Sequence, residues 1–468
     1  MSYLSVEFAV GFLLFFVLYW SFCFSPRLQN TLLLLASYAL LASFNYQFAV
    51  HLMAYTLVVY GLSVGIAFSR FARAYLVIAV AVSIANLLLF KYFDFFREFF
   101  QALLQFAGLQ TIIPAVDIIL PIGISYYTFH AISYLVSLYR KDIEMPSIDS
   151  FALFLAFFPT LVAGPINRAK TMLPQIDGEK RRQIRQLNVI YALIILAVAK
   201  KLWLAAYLSE QWVQPILGSS SEYHGLTVIA AIYAYALQIF LDFSGYTDLM
   251  IALALLLGFK IPINFAMPYT AVNVRDFWRR WHISLSTWIR DYIYFPLGGS
   301  RQGFTRTQIN VMVAMVLSGI WHGVGLSFIV WGTLHGVAIV CLNISDKIWG
   351  KERFARANPY FARWLTFHFI CLTWVFFYAP TLTDARTILT SVYRQLSWEI
   401  IPLSSICFVV LIPLLLWLYP YTKNGVTVIA NVTYKLPWLI RPVLFAVLLL
   451  GIILLSPEGI PAFIYATF

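Results

Sequence analysis

The sequence predicts an all-α protein that threads repeatedly through a membrane, and three observations carry that prediction. Of its 468 residues 61% are hydrophobic and 18% aromatic, while only 11% are charged; a soluble chain carries about 25% charged residues. Mean hydropathy is +0.81. Apolar runs of about 20 residues, the length a helix needs to cross a bilayer, recur from end to end with no Pro/Ser/Gly-rich linker between them. Residues 1–468 therefore read as a single membrane-embedded domain with no detachable soluble module, and the sequence shows no internal repeat.

Taken in order, crossings are expected to start near Val6, Leu32, Val50, Tyr75, Asp117, Asn188, Leu226, Ile309, Leu326, Trp364, Ile401 and Leu436, about twelve in all. Met1 to Glu7 has no basic region, and the apolar run Phe8 to Phe24 exceeds a signal-peptide core, so the first run reads as an uncleaved span. With the N-terminus outside, Arg27, Arg70, Arg73, Arg140 and Lys141 fall inside. The loop at Asn45 and the stretch Ser209 to Tyr223, which has Glu210 and Glu222 but no Lys or Arg, fall outside. The net charge of +12 thus follows the positive-inside pattern. Nucleic-acid binding needs a soluble basic face, and none is present.

Two apolar pieces are too short to cross, Phe151 to Ala163 and Leu249 to Phe259. Each precedes a basic stretch that a crossing would export, so both read as re-entrant or buried helices, which are tolerated only inside protein or beside a cavity. The first basic stretch carries Arg168, Lys170, Lys180, Arg181, Arg182 and Arg185 and reads as a topology determinant in contact with anionic membrane lipid. Cys23, Cys341, Cys371 and Cys407 form no C-x-x-C pair and read as small core hydrophobes.

The second basic stretch does more than orient the chain. Asn273 to Arg301 interleaves arginines, aromatics and His282. Asp276, Arg279 and Arg280 stand three and four apart, at helical contact distance. Trp278, Trp281, Ile289 and Tyr292 make an apolar stripe, so the segment reads as an amphipathic helix pair at the inner interface, ended by Pro296 and Gly298-Gly299. Forty residues after His282, His322 sits inside an apolar span between Gly319 and Gly323. Ionisable groups at such depth are costly and mark function, and the glycines allow close backbone approach. His335, in Trp331-Gly332-Thr333-Leu334-His335-Gly336, invites the same argument and is left open between function and packing. His51, His224 and His368 read as hydrogen-bonded packing residues.

These strings carry a resemblance. Arg275-Asp276-Phe277-Trp278-Arg279-Arg280-Trp281-His282-Ile283-Ser284-Leu285-Ser286, followed by Gly319-Ile320-Trp321-His322-Gly323, resembles the membrane-bound O-acyltransferase family. Tyr294 to Arg301, with Pro296-Leu297-Gly298-Gly299, is similar to the branch that acetylates bacterial exopolysaccharides such as alginate. The likeness runs from about Pro121 to Ala338 and takes in Pro121-Ile122-Gly123-Ile124-Ser125-Tyr126-Tyr127-Thr128-Phe129 and Phe157 to Ile166.

The resemblance implies an all-α fold with catalytic roles at His322 and His282. It also implies a multi-pass protein of the bacterial inner membrane, and a periplasmic acetyltransferase partner that places acetyl on the polymer. The reaction expected is acyl transfer from a thioester to a hydroxyl, with acetyl-CoA as cytoplasmic donor substrate and no bound cofactor. A neutral imidazole is suited to take the hydroxyl proton near pH 7. Arg275, Arg279 and Arg280 suit the donor's phosphates, and Asn273 and Trp281 complete the expected donor-binding set. Asn273, His282 or a backbone N–H near Gly323 are alternatives for stabilising the oxyanion. The two histidines are not at H-E-x-x-H spacing, and no carboxylate or cysteine completes a metal site; a G-x-S-x-G elbow is also missing. Rival readings are a D-alanyl transferase fed by an acylated carrier protein and, further off, a transporter or flippase with His322 on its pathway.

The orientation is testable by labelling single cysteines placed in a background without the four native ones. Lys180→Cys and Arg301→Cys should react only from the cytoplasm, and Glu222→Cys only from the periplasm. A cytoplasmic reaction at 222 reverses the topology.

Overall fold

A computed structural model of the chain describes residues 3–108, 119–178, 180–394, 402–418 and 425–457. Every regular element among them is helical. Contacts gather the chain into two compact units, Met1–Arg185 with Leu253–Pro262, and Gln186–Ala252 with Ile263–Phe468. The chain passes between them three times, so neither unit is one contiguous stretch.

The first unit opens with α1 (Val6–Ser21), α2 (Pro26–Phe44), α3 (Tyr46–Phe68) and α4 (Ala72–Phe106). Short polar caps separate them: the side chains of Ser5, Ser25 and Asn45 accept backbone N–H groups at the starts of α1, α2 and α3, and Pro26 takes the first helical position of α2. Then come α5 (Ile124–Tyr139), α6 (Ile148–Ala156), α7 (Phe158–Leu161) and α8 (Ala169–Ile176). The stretch Phe151 to Ala163 is broken at Phe157, and Phe151, Phe154 and Phe157 are fully enclosed. These are buried short helices, as the location of their apolar residues requires.

The second unit begins with α9 (Leu187–Gly218), which widens into π-helical turns at Ala199–Ala205 and Ser209–Val213. Next is α10 (Gly225–Leu256), whose last turn belongs to the first unit. The expected separate element Leu249 to Phe259 is instead the C-terminal end of α10. Nothing between Leu226 and Leu256 breaks the helix; it stops only at Gly258, where φ is +83°. At 32 residues it is about 48 Å long, well beyond a 30 Å hydrocarbon core. The short α11 (Val274–Arg280) and α12 (Ile283–Ile289) follow, then α13 (Phe304–His322), α14 (Leu326–Trp349), α15 (Pro359–Tyr378), α16 (Leu382–Arg394), α17 (Leu403–Leu418), α18 (Gly425–Lys435) and α19 (Ile440–Leu455).

The count of twelve crossings is not borne out. Among the described residues six helices, α3, α4, α9, α10, α14 and α15, are long and apolar enough to span a membrane. Helices α1, α5, α17 and α19 are shorter, at 16 residues each. Helices α2 and α13 reach 19 residues but open with polar runs, Arg27 to Thr31 and Thr305 to Asn310, that dilute their apolar stretch. Asp117 and Ile401, where two crossings were expected to start, lie outside the described residues. Of the cysteines only Cys371 is buried; Cys23, Cys341 and Cys407 are exposed, so three of the four are not core residues.

Helices α13 and α14 form a hairpin held at backbone contact. A Cβ on Gly319 would lie 2.3 Å from the Phe328 carbonyl oxygen and 3.2 Å from the Gly332 Cα, and one on Gly332 would lie 2.5 Å from the Met315 carbonyl oxygen. A Cβ on Gly336 meets side chains alone, the Met312 Sδ at 2.8 Å and the Met315 Cβ at 3.3 Å. Gly332→Ala or Gly319→Ala should therefore destabilise the protein by about 1–3 kcal/mol or more, and Gly336→Ala by clearly less, because a methionine can move and a backbone cannot. Thermal unfolding in detergent compares the three; equal losses would deny the close crossing.

Candidate functional site

The crossing places two histidines. His322 stands three residues after Gly319 and His335 three after Gly332, so each lies one helical turn from the contact. His322 is the last residue of α13, because Gly323 leaves the helix in extended backbone. It thus closes the apolar helix in which the sequence placed it. It is nonetheless only 2% exposed, enclosed by the rings of Trp321 (4.7 Å between centroids), Trp331 (5.0 Å) and Phe377 (5.1 Å). Trp331 also touches His335 at 4.8 Å, so one indole separates the two imidazoles.

His335 is fully buried, and the indole N–H of Trp278 donates to its Nδ1 at 3.2 Å. An indole can only donate, so Nδ1 accepts and the neutral ring carries its proton on Nε2. That Nε2 has no hydrogen-bond partner among the described residues.

His282 arrives from the other direction. It joins α11 to α12 in left-handed backbone, φ 43° and ψ 54°, a conformation that costs a non-glycine residue about 1–2 kcal/mol. Its neighbours are pinned on both sides: the Ala266 N–H donates to the Arg280 carbonyl (3.0 Å), the Ile283 N–H to the Asn264 carbonyl (3.0 Å) and the Ser284 N–H to Asn264 Oδ1 (3.2 Å). The ring is fully buried, edge-on to Phe243 at 4.7 Å and 6.5 Å from the Trp321 ring. Through Trp321, which touches both, His282 joins the same aromatic enclosure as His322. Burial pushes its pKa down to about 3 from the ordinary 6.5, so the imidazole is neutral at physiological pH.

The expected donor-binding residues are not alike. Arg275 donates to Asn343 Oδ1 at 3.2 Å and pairs with Asp346. Arg280 pairs with Asp276 at 2.9 Å, the helical i, i+4 contact read from the sequence. Arg279 alone of the three is exposed. Asn273 caps α11, its Oδ1 accepting the Asp276 N–H at 2.8 Å. Trp281 is 1% exposed and stacks on Phe277 (5.6 Å, 15° between planes) beside Trp374 at 5.0 Å. The turn after α12 is present as expected, with positive φ at Gly298 and Gly299, and Asn310 Nδ2 ties it to α13 by donating to the Gly299 carbonyl at 2.9 Å.

Several contributors escaped the sequence reading. Lys201 on α9 forms a buried pair with Asp242 on α10, and Lys200 reaches Asp248 at 2.7 Å. Asp242 precedes Phe243, the wall of His282, so this pairing fixes the register that aims the wall. Trp278 and Trp331, read only as an apolar stripe and a motif neighbour, hold and separate the histidines. Separately, in the first unit, His130 directly follows the Pro121–Phe129 string and is buried, its Nε2 accepting the Asn167 N–H at 3.0 Å.

The buried His282 has a measurable consequence. Between about pH 3 and 6.5 the unfolded chain protonates this histidine and the folded one does not, so stability should rise with pH across that window. His282→Gln should flatten that part of the profile, measured by denaturant or thermal unfolding at pH 4 to 7 against the parent. An unchanged slope would mean that the ring is not held neutral.

The residues that build this enclosure fall inside a wider match. Residues 122–381 match the family model described as MBOAT, the membrane-bound O-acyltransferase family. The chain is 35% identical over 380 residues to a Pseudomonas putida protein named probable alginate O-acetylase, covering 80% of this chain and 76% of that one. It is 32% identical over 414 residues to a Helicobacter pylori peptidoglycan O-acetyltransferase, covering 81% and 76%. A teichoic acid D-alanyltransferase of Streptococcus thermophilus is 29% identical over 231 residues, covering 47% and 56%. This chain belongs to the membrane-bound O-acyltransferase family and is an O-acyltransferase.

Proposed function

We propose that the protein takes acetyl from a cytoplasmic thioester, acetyl-CoA, and passes it across the bacterial inner membrane for O-acetylation of an exported polysaccharide such as alginate. The observation that carries the chemistry is the enclosure of His322: an imidazole with almost no water contact, at a helix end, walled by aromatic rings. In such a site the histidine takes the proton of the acceptor hydroxyl as its oxygen attacks the thioester carbonyl. The carbon–sulfur bond then breaks and the thiolate leaves. His282, neutral and held from both sides, is the second catalytic group, serving as a hydrogen-bond donor to the developing oxyanion. Asn273 is committed to capping α11, which favours His282 for that task. Of the three arginines expected to bind the donor, Arg279 is the exposed one, while Arg275 and Arg280 are paired and support the helix that carries it. A periplasmic acetyltransferase partner would complete the transfer to polymer.

The acetyl reading draws on relatives named as a probable alginate O-acetylase and a peptidoglycan O-acetyltransferase, each matching about four-fifths of the chain. D-alanyl transfer from an acylated carrier protein is the second reading, drawn from the shorter match to the teichoic acid enzyme. Purified protein that consumes acetyl-CoA without a loaded carrier decides for the first.

His322→Ala should abolish acetyl transfer while leaving a membrane-inserted protein, since losing a positioned base costs on the order of a hundredfold to ten-thousandfold in rate. His322→Gln keeps hydrogen bonding but cannot act as the base, and should be as inactive. Near-normal turnover in the Gln variant would move the base to His282 or His335.

A further inference from the structure

A second site lies wholly in the first unit. The end of α8, the chain that follows it and the turn after α10 enclose a cavity of ≈ 580 Å³ lined by Lys180, Arg181, Arg182, Arg185 and Lys260. Among the described residues no acidic side chain lines it, and none of the five takes part in a salt bridge. Sequence reading assigned the run 180–185 to topology. The structure adds that Lys260, far along the chain, is brought to the same wall. Gln175 clamps it there: its Oε1 accepts the Lys260 N–H at 2.8 Å and its Nε2 donates to the Lys260 carbonyl at 3.0 Å.

Arg182 is the fixed floor of this wall. It donates to Tyr19 Oη at 3.2 Å, Asn30 Oδ1 at 2.6 Å and the carbonyls of Gln175 (3.3 Å) and Ile176 (3.5 Å), and it lies over the Phe259 ring at 4.4 Å. Gly258 lets the turn approach, since a Cβ there would lie 2.9 Å from Arg182 Cβ. All of these partners are neutral, so a guanidinium is held rigidly with no anion to balance it. The other four cations are exposed around it. A concavity within the usual small-molecule range of about 300–1,000 Å³, with five cations among its described lining residues, selects a small ligand bearing several negative charges. Phosphate oxygens match the guanidinium fork.

We propose that this cavity binds clustered phosphates, and that its ligand is the phosphorylated end of a CoA-type thioester donor. The second part rests on the acetyl-CoA reading above. An anionic lipid headgroup offers the same chemistry from another source.

The test uses the full chain in nanodiscs of phosphatidylcholine, with coenzyme A as probe. Removing four charges together (Lys180→Gln, Arg181→Gln, Arg185→Gln, Lys260→Gln), with the anchored Arg182 kept, should weaken coenzyme A binding by about tenfold or more. Dephospho-coenzyme A should bind the parent more weakly than coenzyme A. Arg70→Gln with Arg73→Gln, which removes cations elsewhere, should change nothing. A parallel arm follows phosphatidylglycerol retained through detergent by native mass spectrometry. Loss of lipid retention with coenzyme A binding unchanged keeps the phosphate site and assigns it to lipid. No change in either arm overturns the proposal, as does an equal loss in the Arg70/Arg73 control. If the fourfold variant fails to insert, Lys260→Glu alone is carried through both arms with the same criteria. His322→Gln separates the two readings: it should lose transfer and still bind coenzyme A. A parent that binds coenzyme A at this cavity yet transfers no acetyl defeats the acetyl reading and leaves the site standing.

Discussion

The arrangement of the histidine enclosure depends on one contact, the backbone-to-backbone crossing of α13 and α14 at Gly319 and Gly332. Two helices carrying larger side chains there would stand about 8–10 Å apart. With glycine on both sides the carbonyls of Met315 and Phe328 lie where Cβ atoms would otherwise sit. The crossing sets the rotation of each helix, and rotation decides that His322 and His335 both turn toward Trp331. Each histidine follows its glycine by the same three residues, so the crossing carries both to the same level.

Around that contact the protein places polar groups at a cost it offsets locally. A buried Lys–Asp pair is weak evidence for stability, since desolvation consumes most of the attraction, yet removing one partner is strongly destabilising. Lys201 and Asp242 therefore act as a register lock between α9 and α10 more than as glue. The lock reaches the site through Phe243, next in sequence to Asp242 and edge-on to His282. On the other side, Asn264 and Ala266 hold the backbone that lets His282 adopt its left-handed conformation. Strain of this kind persists only where the surroundings over-determine it, and here hydrogen bonds on both flanks do so.

The parts of this site that were legible in the sequence are those whose signal is local. The Trp-His-Gly and Trp-Arg-Arg-Trp-His strings marked both histidines, because an imidazole flanked by glycine or tryptophan in an apolar run has few inexpensive explanations. The i, i+4 pairing of Asp276 with Arg280 was legible for the same reason. What stayed hidden depends on partners far apart in the chain. Nothing near Lys201 announces Asp242, and nothing near Arg275 announces Asp346, so Lys201 went unmarked and Arg275 looked available. The count of twelve crossings was not confirmed, since six helices among the described residues are long and apolar enough to span. Hydropathy also could not show that the short piece from Leu249 continues the helix that begins at Gly225.

The two basic segments separate on the same principle. In the second segment Arg275 and Arg280 already have carboxylate partners, and their charge is spent within the fold. In the first, the partners of Arg182 among the described residues are neutral oxygens and a ring, and no described acid lines the cavity around it. A positive-inside rule needs charge on one side of the membrane but makes no demand on its rigidity. A guanidinium fixed by four hydrogen bonds satisfies a stricter requirement than topology imposes. That excess of order over what insertion needs separates a built anion site from a charged loop, and it appears only once Lys260 and Arg182 are seen on one wall.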